Sequence, residues 1–526
     1  MARFSALKIY VLASILSTVH AVDVSVPLLA GPSTPKVSGS LISLSIEGDR
    51  WTDWTGTTSR NNFFFNTLDN LKQITREPPH IRIGANSEDH TNFRQDTHFA
   101  QTVFPPYTPV VPYPEATNIT VGDSYYATTR FLPPDTHVTW GVNLGSNNIT
   151  AAVLETRSIV KAFSSPEIKR AGIVLDYLEM GNEPDLYKNN GLRAKNYTSA
   201  QWVDDWLRFA RNVSAAAGLS PTSHTKFLGA SFAGSSHTTT GFSPQAAFAA
   251  GLLTGPGKLI STISQHRYSG SFCAGNGGLL QDLMTKSTIR GNLTIFVPDI
   301  QATFAQGLDY ILGETNSYAC HGAPGVSNTA GAALWALDYA LFATQLKISR
   351  VFFHVGVGFK YSMIQPVTLT RSTLDGSPLP APLPPHVQPQ YYAAIIAAEA
   401  IGKTCNAQVL ELSINHPQIA GYAFYEHGFL ARAVFINSKA YLPESTNRTS
   451  VHLDLNFAAA RYKIPPMMTV KRLVIGRATD ASGVTWGGQT YETSNGRVGG
   501  HLKVEHKPIA QGLDIQETEA VLVSFH

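Results

Sequence analysis

The sequence predicts an α/β fold: a closed barrel of eight β/α units followed by an antiparallel β domain. Short β-prone apolar runs alternate with amphipathic helical stretches up to about residue 402, and beyond Lys403 the texture changes to short alternating stretches broken by Gly, Asn and Pro. Unusual polar residues also collect at the C-terminal ends of the expected strands, the end at which a (β/α)8 TIM barrel carries its site. An open doubly wound sheet is the competing architecture, but no Gly-rich phosphate fingerprint follows the first strand.

Taken in order, residues 1–21 read as a signal peptide. Arg3 and Lys8 precede an apolar run from Ile9 to Val19, and Val19-His20-Ala21 supplies small residues for cleavage. Residues 22–40 have no helical period and are expected to join the β domain. The barrel is assigned to 41–402. Its strands are expected at Leu41–Asp49, His80–Ser87, His137–Gly145, Asp176–Asp185, Lys226–Ala233, Thr262–Gly270, Tyr310–Ser317 and Arg350–Gly358. Helical patterns fill the gaps, for example "TAAVLETRSIVKAF", "SAQWVDDWLRFARNVSAA" and "SNTAGAALWALDYALFATQL", and "QPQYYAAIIAAEAIG" closes the set. The proline-rich stretch from Ser362 to Pro389 reads as a loop over the barrel mouth, because a helical pattern resumes behind it. Residues 403–526 are assigned to a C-terminal β-sandwich, with "GYAFYEHGFLARAVFIN", "SVHLDLNF", "MTVKRLVIG" and "AVLVSFH" as its strands.

Composition narrows the partners. Forty Lys and Arg against 37 Asp and Glu leave a formal charge of +3 with no long basic run. Neither nucleic acid nor an anionic membrane surface is therefore an expected partner. No segment has the roughly 18 consecutive apolar residues of a spanning helix. Six sequons, at Asn118, Asn148, Asn196, Asn212, Asn292 and Asn447, fit a eukaryotic secretory route and an extracellular, glycosylated product. Three cysteines are not a disulfide framework. Either Cys273 and Cys320 pair where their loops meet, leaving Cys405 free, or all three are partly buried thiols.

The stretch "DYLEMGNEPDLY", Asp176 to Tyr187, runs from an apolar segment into an amide, a carboxylate and a proline. Pro184 cannot extend a sheet ladder and pushes Glu183 toward an extended conformation, so the strand should stop about where the carboxylate stands. Strand 7 ends in a second carboxylate, Glu314. Strand 6 carries His266 and Tyr268, strand 1 ends in Glu47 and Asp49, and strand 2 in Asn86. Two carboxylates facing each other across a barrel mouth are what glycoside hydrolysis requires: one protonates the leaving oxygen, and the other attacks the anomeric carbon or activates water. There is no HExxH pair, GxSxG elbow, P-loop or CxxC pair, so no metal and no cofactor are expected.

With Asn182-Glu183-Pro184, "LGETNS" around Glu314, "HRY" on strand 6, "SIEG" and "IRIGANS", the chain resembles glycoside hydrolase family 79, a group of retaining glycosidases that includes fungal β-glucuronidases and heparanases. The resemblance implies Glu183 as acid/base and Glu314 as nucleophile. It implies that Asn182 bonds the sugar 2-hydroxyl and that Tyr268 bonds the nucleophile and keeps it ionised. Glu47 matches the family's strand 1 acid that binds sugar hydroxyls, with Asp49 in its place if the strand ends later. Tyr361 and Tyr318, with loop amides near Gly322, are expected to hold the substrate carboxylate. Asn86 is grouped with the sugar contacts. His266 shares a face with Tyr268 and is either a site group or a satisfied core histidine; Arg82 supports the nucleophile's charge or makes an outward ion pair. After the nucleophile the chain reads "SYACHGAPG" where heparanase-like members have a glycine pair, so the carboxylate-binding backbone does not carry over.

The sequence thus points to a secreted retaining exo-β-glucuronidase acting on terminal β-linked glucuronate or 4-O-methyl-glucuronate of glycans. The alternatives are an endo-acting heparanase-like or hyaluronan-cleaving enzyme, and a non-catalytic glycan-binding barrel.

Overall fold

A computed structural model describes residues 21–458 and 464–526. The expected signal segment therefore lies outside the described residues, apart from Ala21. Eight parallel strands close into a barrel: Ile42–Glu47, Ile81–Gly84, His137–Val142, Val174–Met180, Lys226–Phe232, Ile260–Ser271, Asp309–Ala319 and Val351–Val355. Each pairs with the next in sequence, and the eighth closes on the first through Val351 opposite Ile42 and Val355 opposite Ile46. All eight match runs read from the sequence, with ends moved by up to five residues.

The helices are amphipathic for a visible reason. Ser199–Ala217 turns Trp202, Val203, Trp206, Phe209, Ala210 and Val213 onto the barrel and starts with a capping box in which Thr198 and Gln201 satisfy each other's backbone amides. Two helices break that pattern. Ala330–Gln345 and Gln390–Ile401 are buried on nearly every side, because they lie between the barrel and the C-terminal sheet. Arg290 clamps that junction, donating to Asp338 at 2.5 Å, Glu411 at 2.5 Å and the Tyr422 hydroxyl at 2.7 Å.

The C-terminal domain holds an eight-stranded sheet and a three-stranded sheet. The N-terminal segment enters both: Val22–Pro27 pairs in parallel with Ser450–Ala458, and Lys36–Val37 pairs with the strand Ala407–Glu411. Alternate residues of the large sheet face different cores. Val521, Val523, Ala433 and Phe435 pack against Val24, Val26, Leu453 and Ile515 of the small sheet, whereas Ala520, Leu522, Val434 and Ile436 join the barrel core. A sheet covered on both faces reads as a continuous apolar run, which explains "ARAVFIN" and "AVLVSF".

The proline-rich loop is ordered as two short antiparallel pairs, Ile364–Gln365 with His386–Val387 and Leu369–Arg371 with Pro378–Leu383. Tyr113 fastens it by donating its hydroxyl to the Arg371 carbonyl at 2.9 Å, and the Arg371 guanidinium lies over the Tyr107 and Tyr113 rings. Among the described residues no helix is long and apolar enough to cross a membrane.

Candidate active site

The fourth barrel strand stops at Met180. Gly181 then takes φ +78°, where a Cβ would meet the Tyr187 hydroxyl at 2.4 Å and Leu144 at 2.8 Å, so only glycine fits. Glu183 is not extended as the following proline suggests; it sits in the left-handed region at φ 50°, ψ 53°. Two backbone bonds impose this: the Glu183 amide donates to the Ser231 carbonyl at 2.9 Å, and the Glu183 carbonyl accepts from Leu186 at 2.8 Å, closing the turn Pro184–Leu186. Such a conformation costs about 1–3 kcal/mol and clusters where geometry matters for function. Ala230 and Ser231 on the fifth strand are also left-handed, so two neighbouring strands break at the same level.

The seventh strand reaches the site through a bulge. Gln265 pairs with Leu312 and His266 with Glu314, leaving Gly313 as the extra residue. A Cβ on Gly313 would lie 2.1 Å from Ser264 Oγ, which accounts for the glycine in "LGET". The bulge re-aims Glu314 into the barrel mouth.

There Glu183, His266 and Glu314 bring one ligand-capable atom each within 4.8 Å of one another. His266 Nδ1 lies 3.0 Å from Glu183 Oε1 and 4.0 Å from Glu314 Oε2. Glu314 Oε1 accepts from the Tyr268 hydroxyl at 2.7 Å, and Oε2 from Arg82 Nη1 at 2.6 Å. Burial alone would raise the Glu314 carboxyl. The charges of His354, His266 and Arg82 and the Tyr268 hydrogen bond more than reverse that, holding it well below the usual carboxylate range. Glu183 moves the other way: burial raises it, and the His266 hydrogen bond only partly opposes the rise. Two carboxyls a few ångströms apart thus favour opposite protonation states.

Arg82 is the hub beneath the pair. Fully buried, it donates Nε to Glu179 at 2.5 Å, Nη1 to Ser45 at 2.9 Å as well as to Glu314, and Nη2 to Asn182 Oδ1 at 2.8 Å. It points inward, so the outward ion pair is not what forms. Asn182 is held again through its amide, which donates to Asp89 at 3.1 Å. Glu47 ends the first strand, accepts from the Ser87 amide at 2.7 Å and lies 3.4 Å from His354 Nε2. Asp49, one turn on, accepts from the Ala116 amide at 2.8 Å and is raised chiefly by its burial and then by Glu47. Tyr361 is buried with its ring 6.1 Å from that of Tyr268 and 6.0 Å from that of His354.

Three further expected residues stand outside this hydrogen-bond network. Tyr318 packs its ring over Gly270 and Gly278 and meets the backbone of Leu279. Gly270 leaves no side chain to fill that space, and the aromatic ring takes it. Asn86 is exposed on the turn Ala85–His90 and touches none of the groups above. Asn292 lies half-buried within the helix Lys286–Thr294 and accepts from Arg267 Nη2 at 2.5 Å, whereas the other five sequon asparagines are exposed.

Glu179, His354, Ser45 and the pair His321–Glu115, 2.7 Å apart, carry no motif. Glu179 had one available signal: a carboxylate four residues before Glu183 in an apolar strand needs a buried cation. Cys273 and Cys320 form a disulfide with S–S 2.04 Å that joins the loops after the sixth and seventh strands, and Cys405 is free and exposed.

Comparison with known proteins agrees with this geometry. Residues 421–522 match the glycosyl hydrolase family 79 C-terminal beta domain. A beta-glucuronidase of Neurospora crassa is 29% identical over 531 residues, covering 92% of this chain and 90% of that protein. One from Aspergillus niger is 29% identical over 468 residues, covering 86% and 82%. Among solved structures, a 4-O-α-L-rhamnosyl-β-D-glucuronidase from Fusarium oxysporum 12S, in complex with Rha-GlcA, superposes with TM-score 0.77 at 22% identity over 96% of this chain and 100% of that one. A family 51 α-L-arabinofuranosidase from Bifidobacterium longum gives 0.59 at 13% identity, covering 96% and 99%. A closed eight-stranded barrel, a matching C-terminal domain and fungal relatives aligned over most of their length converge on one assignment: the chain is a glycoside hydrolase whose C-terminal region matches the family 79 beta domain.

Proposed function

We propose that the protein is a secreted retaining exo-β-glucuronidase that releases terminal β-linked glucuronate or 4-O-methyl-glucuronate from glycans. The observation that carries the reaction is the Glu183–Glu314 pair, with carboxylate oxygens within 4.8 Å and opposite protonation preferences. Double displacement uses carboxyls about 5–5.5 Å apart, whereas inversion needs about 6.5–9.5 Å to seat a water. Glu314, ionised and gripped at both oxygens, attacks the anomeric carbon. Glu183 delivers its proton to the glycosidic oxygen as the aglycone leaves, and a glycosyl ester forms on Glu314. Glu183, now ionised, takes a proton from water, the water attacks the anomeric carbon, and the Glu314 ester bond breaks. His266 donates to Glu183 while it is charged, which suits a group that changes state twice per turnover.

The β-glucuronidase names of the two fungal relatives support the choice of sugar. The buried Tyr361 beside Tyr268 and His354 supports a uronate contact, and Asn182, locked by Arg82 and Asp89, supports a contact to a ring hydroxyl. Secretion is supported by the leader-like N-terminus, the exposed sequons and the disulfide, a bond that persists in oxidising compartments. The test is a panel of chromogenic β-glycosides with NMR of the first-formed anomer. Turnover of the glucuronide with β-glucuronate appearing first is expected. First release of the α-anomer would reject retention, and turnover of the glucoside but not the glucuronide would reject the sugar.

A further inference from the structure

At the opposite end of the barrel, four strands begin with a convergent set of donors. His80 precedes the second strand, His137 opens the third, Asp176 lies near the start of the fourth, and His224 stands two residues before the fifth. Seven residues of extended chain separate Asp176 from Glu183, so this cluster lies about 20 Å from the catalytic pair. The His80 and His137 rings stack in parallel, with centroids 4.6 Å apart and planes at 8°. Both aim Nδ1 at the same atom, Asp176 Oδ2, from 3.7 and 2.9 Å. His224 Nε2 approaches the other oxygen, Oδ1, at 2.8 Å.

His80 is the informative member. Only 7% exposed, it keeps Nδ1 3.7 Å from Asp176 and Nε2 3.7 Å from Glu77. Both separations exceed hydrogen-bond reach. A small divalent ion with Zn–N of about 2.0–2.1 Å and Zn–O of about 2.0–2.2 Å in tetrahedral array holds its ligands roughly 3.4 Å apart. The distances of the His137 and His80 nitrogens from Asp176 Oδ2, 2.9 and 3.7 Å, straddle that value. Glu77 is already held by Ser38 and Ser40 and lies 3.7 Å from Arg350, so its charge is matched and Asp176 remains as the anionic donor.

We propose that His80, His137 and Asp176 form a structural site for a zinc-type divalent ion that ties together the starts of three barrel strands, with His224 orienting the Asp176 carboxylate through its other oxygen. Imidazole with one carboxylate suits such a borderline ion better than magnesium or calcium, which prefer all-oxygen shells. A site at this end of a barrel serves stability rather than chemistry.

Chelator-treated full-length protein is titrated with zinc chloride by calorimetry and followed by thermal melting. One site of micromolar or tighter affinity is expected, with a melting rise of about 2 °C or more at saturation. Asp176→Asn and His137→Gln should each weaken it at least tenfold, and Glu314→Gln should leave it intact. The other cluster able to hold an ion among the described residues, Glu183 with His266 and Glu314, supplies the counter-outcome. Binding that survives Asp176→Asn and vanishes in Glu314→Gln, or no binding at all, would overturn the proposal. If Asp176→Asn does not fold, zinc-edge anomalous scattering from wild-type crystals decides: a peak between His80, His137 and Asp176 upholds the site, and its absence there rejects it.

Discussion

Replacing Tyr268 by phenylalanine removes one oxygen and leaves the packing intact, so it isolates the hydrogen bond to the nucleophile. That bond is 2.7 Å long, half-buried, and ends on the buried Glu314 Oε1. Hydrogen bonds to charged groups contribute about 1.5–3 kcal/mol. At 1.36 kcal/mol per pKa unit, its loss should raise the Glu314 carboxyl by about 1–2 units from its depressed position. The sign follows from the donor favouring the ionised form: remove it, and protonation becomes easier. The acid limb of kcat/KM therefore moves to higher pH. The same bond stabilises the carboxylate that departs when the glycosyl ester breaks, so the second step should slow by about 10–150-fold. With an activated aryl glucuronide, Tyr268→Phe should show a burst of aglycone and then a slow steady state. An unmoved acid limb, no burst and a kcat within twofold of wild type would refute the reasoning.

Other outcomes follow from the same geometry. Glu183→Gln should lower turnover of poor leaving groups at least 100-fold while sparing dinitrophenyl glycosides in the first step, and it should erase the basic limb of the pH profile. Arg82→Lys keeps the charge but loses the fork to Glu179, Glu314 and Asn182; kcat/KM should fall by about 10²–10³ with Glu314 left poorly held. Glu155 is fully buried, and burial pushes its carboxyl up to about 8. Because the folded value lies above the unfolded one, the stability tied to its protonated form is complete below about pH 4.5 and is lost as pH rises toward 8. Glu155→Gln should therefore stabilise at pH 8, by roughly 3–5 kcal/mol at most, and change little at pH 4.5 in denaturant titrations. Cys273→Ser opens a loop of 47 residues' separation, with an expected loss of about 4 kcal/mol and a KM that rises more than kcat falls.

The barrel was legible because each strand leaves a local mark. A buried parallel strand is a short apolar run, and the eight runs from Ile42 to Val355 are separated by stretches with helical period. The carboxylates were legible because a charge that ends such a run must lie at the rim. The supporting shell was not. Glu179 and His354 sit inside strands and show their purpose only when Arg82, Glu314 and Glu47 arrive from other strands.

What the sequence determined by itself was the order of elements and the chemistry of their ends, since both depend on neighbours within a few residues. Tertiary structure alone decided which groups meet. It closed Cys273 onto Cys320, bonded Val22–Pro27 to a strand more than four hundred residues away, and packed Tyr318 against Gly270, Gly278 and Leu279. It also held Glu183 left-handed against the preference its proline imposes, through the bond its amide donates to the Ser231 carbonyl on the next strand. The physical reason is common to all four: each depends on contacts between segments distant in the chain, and local periodicity carries no record of them.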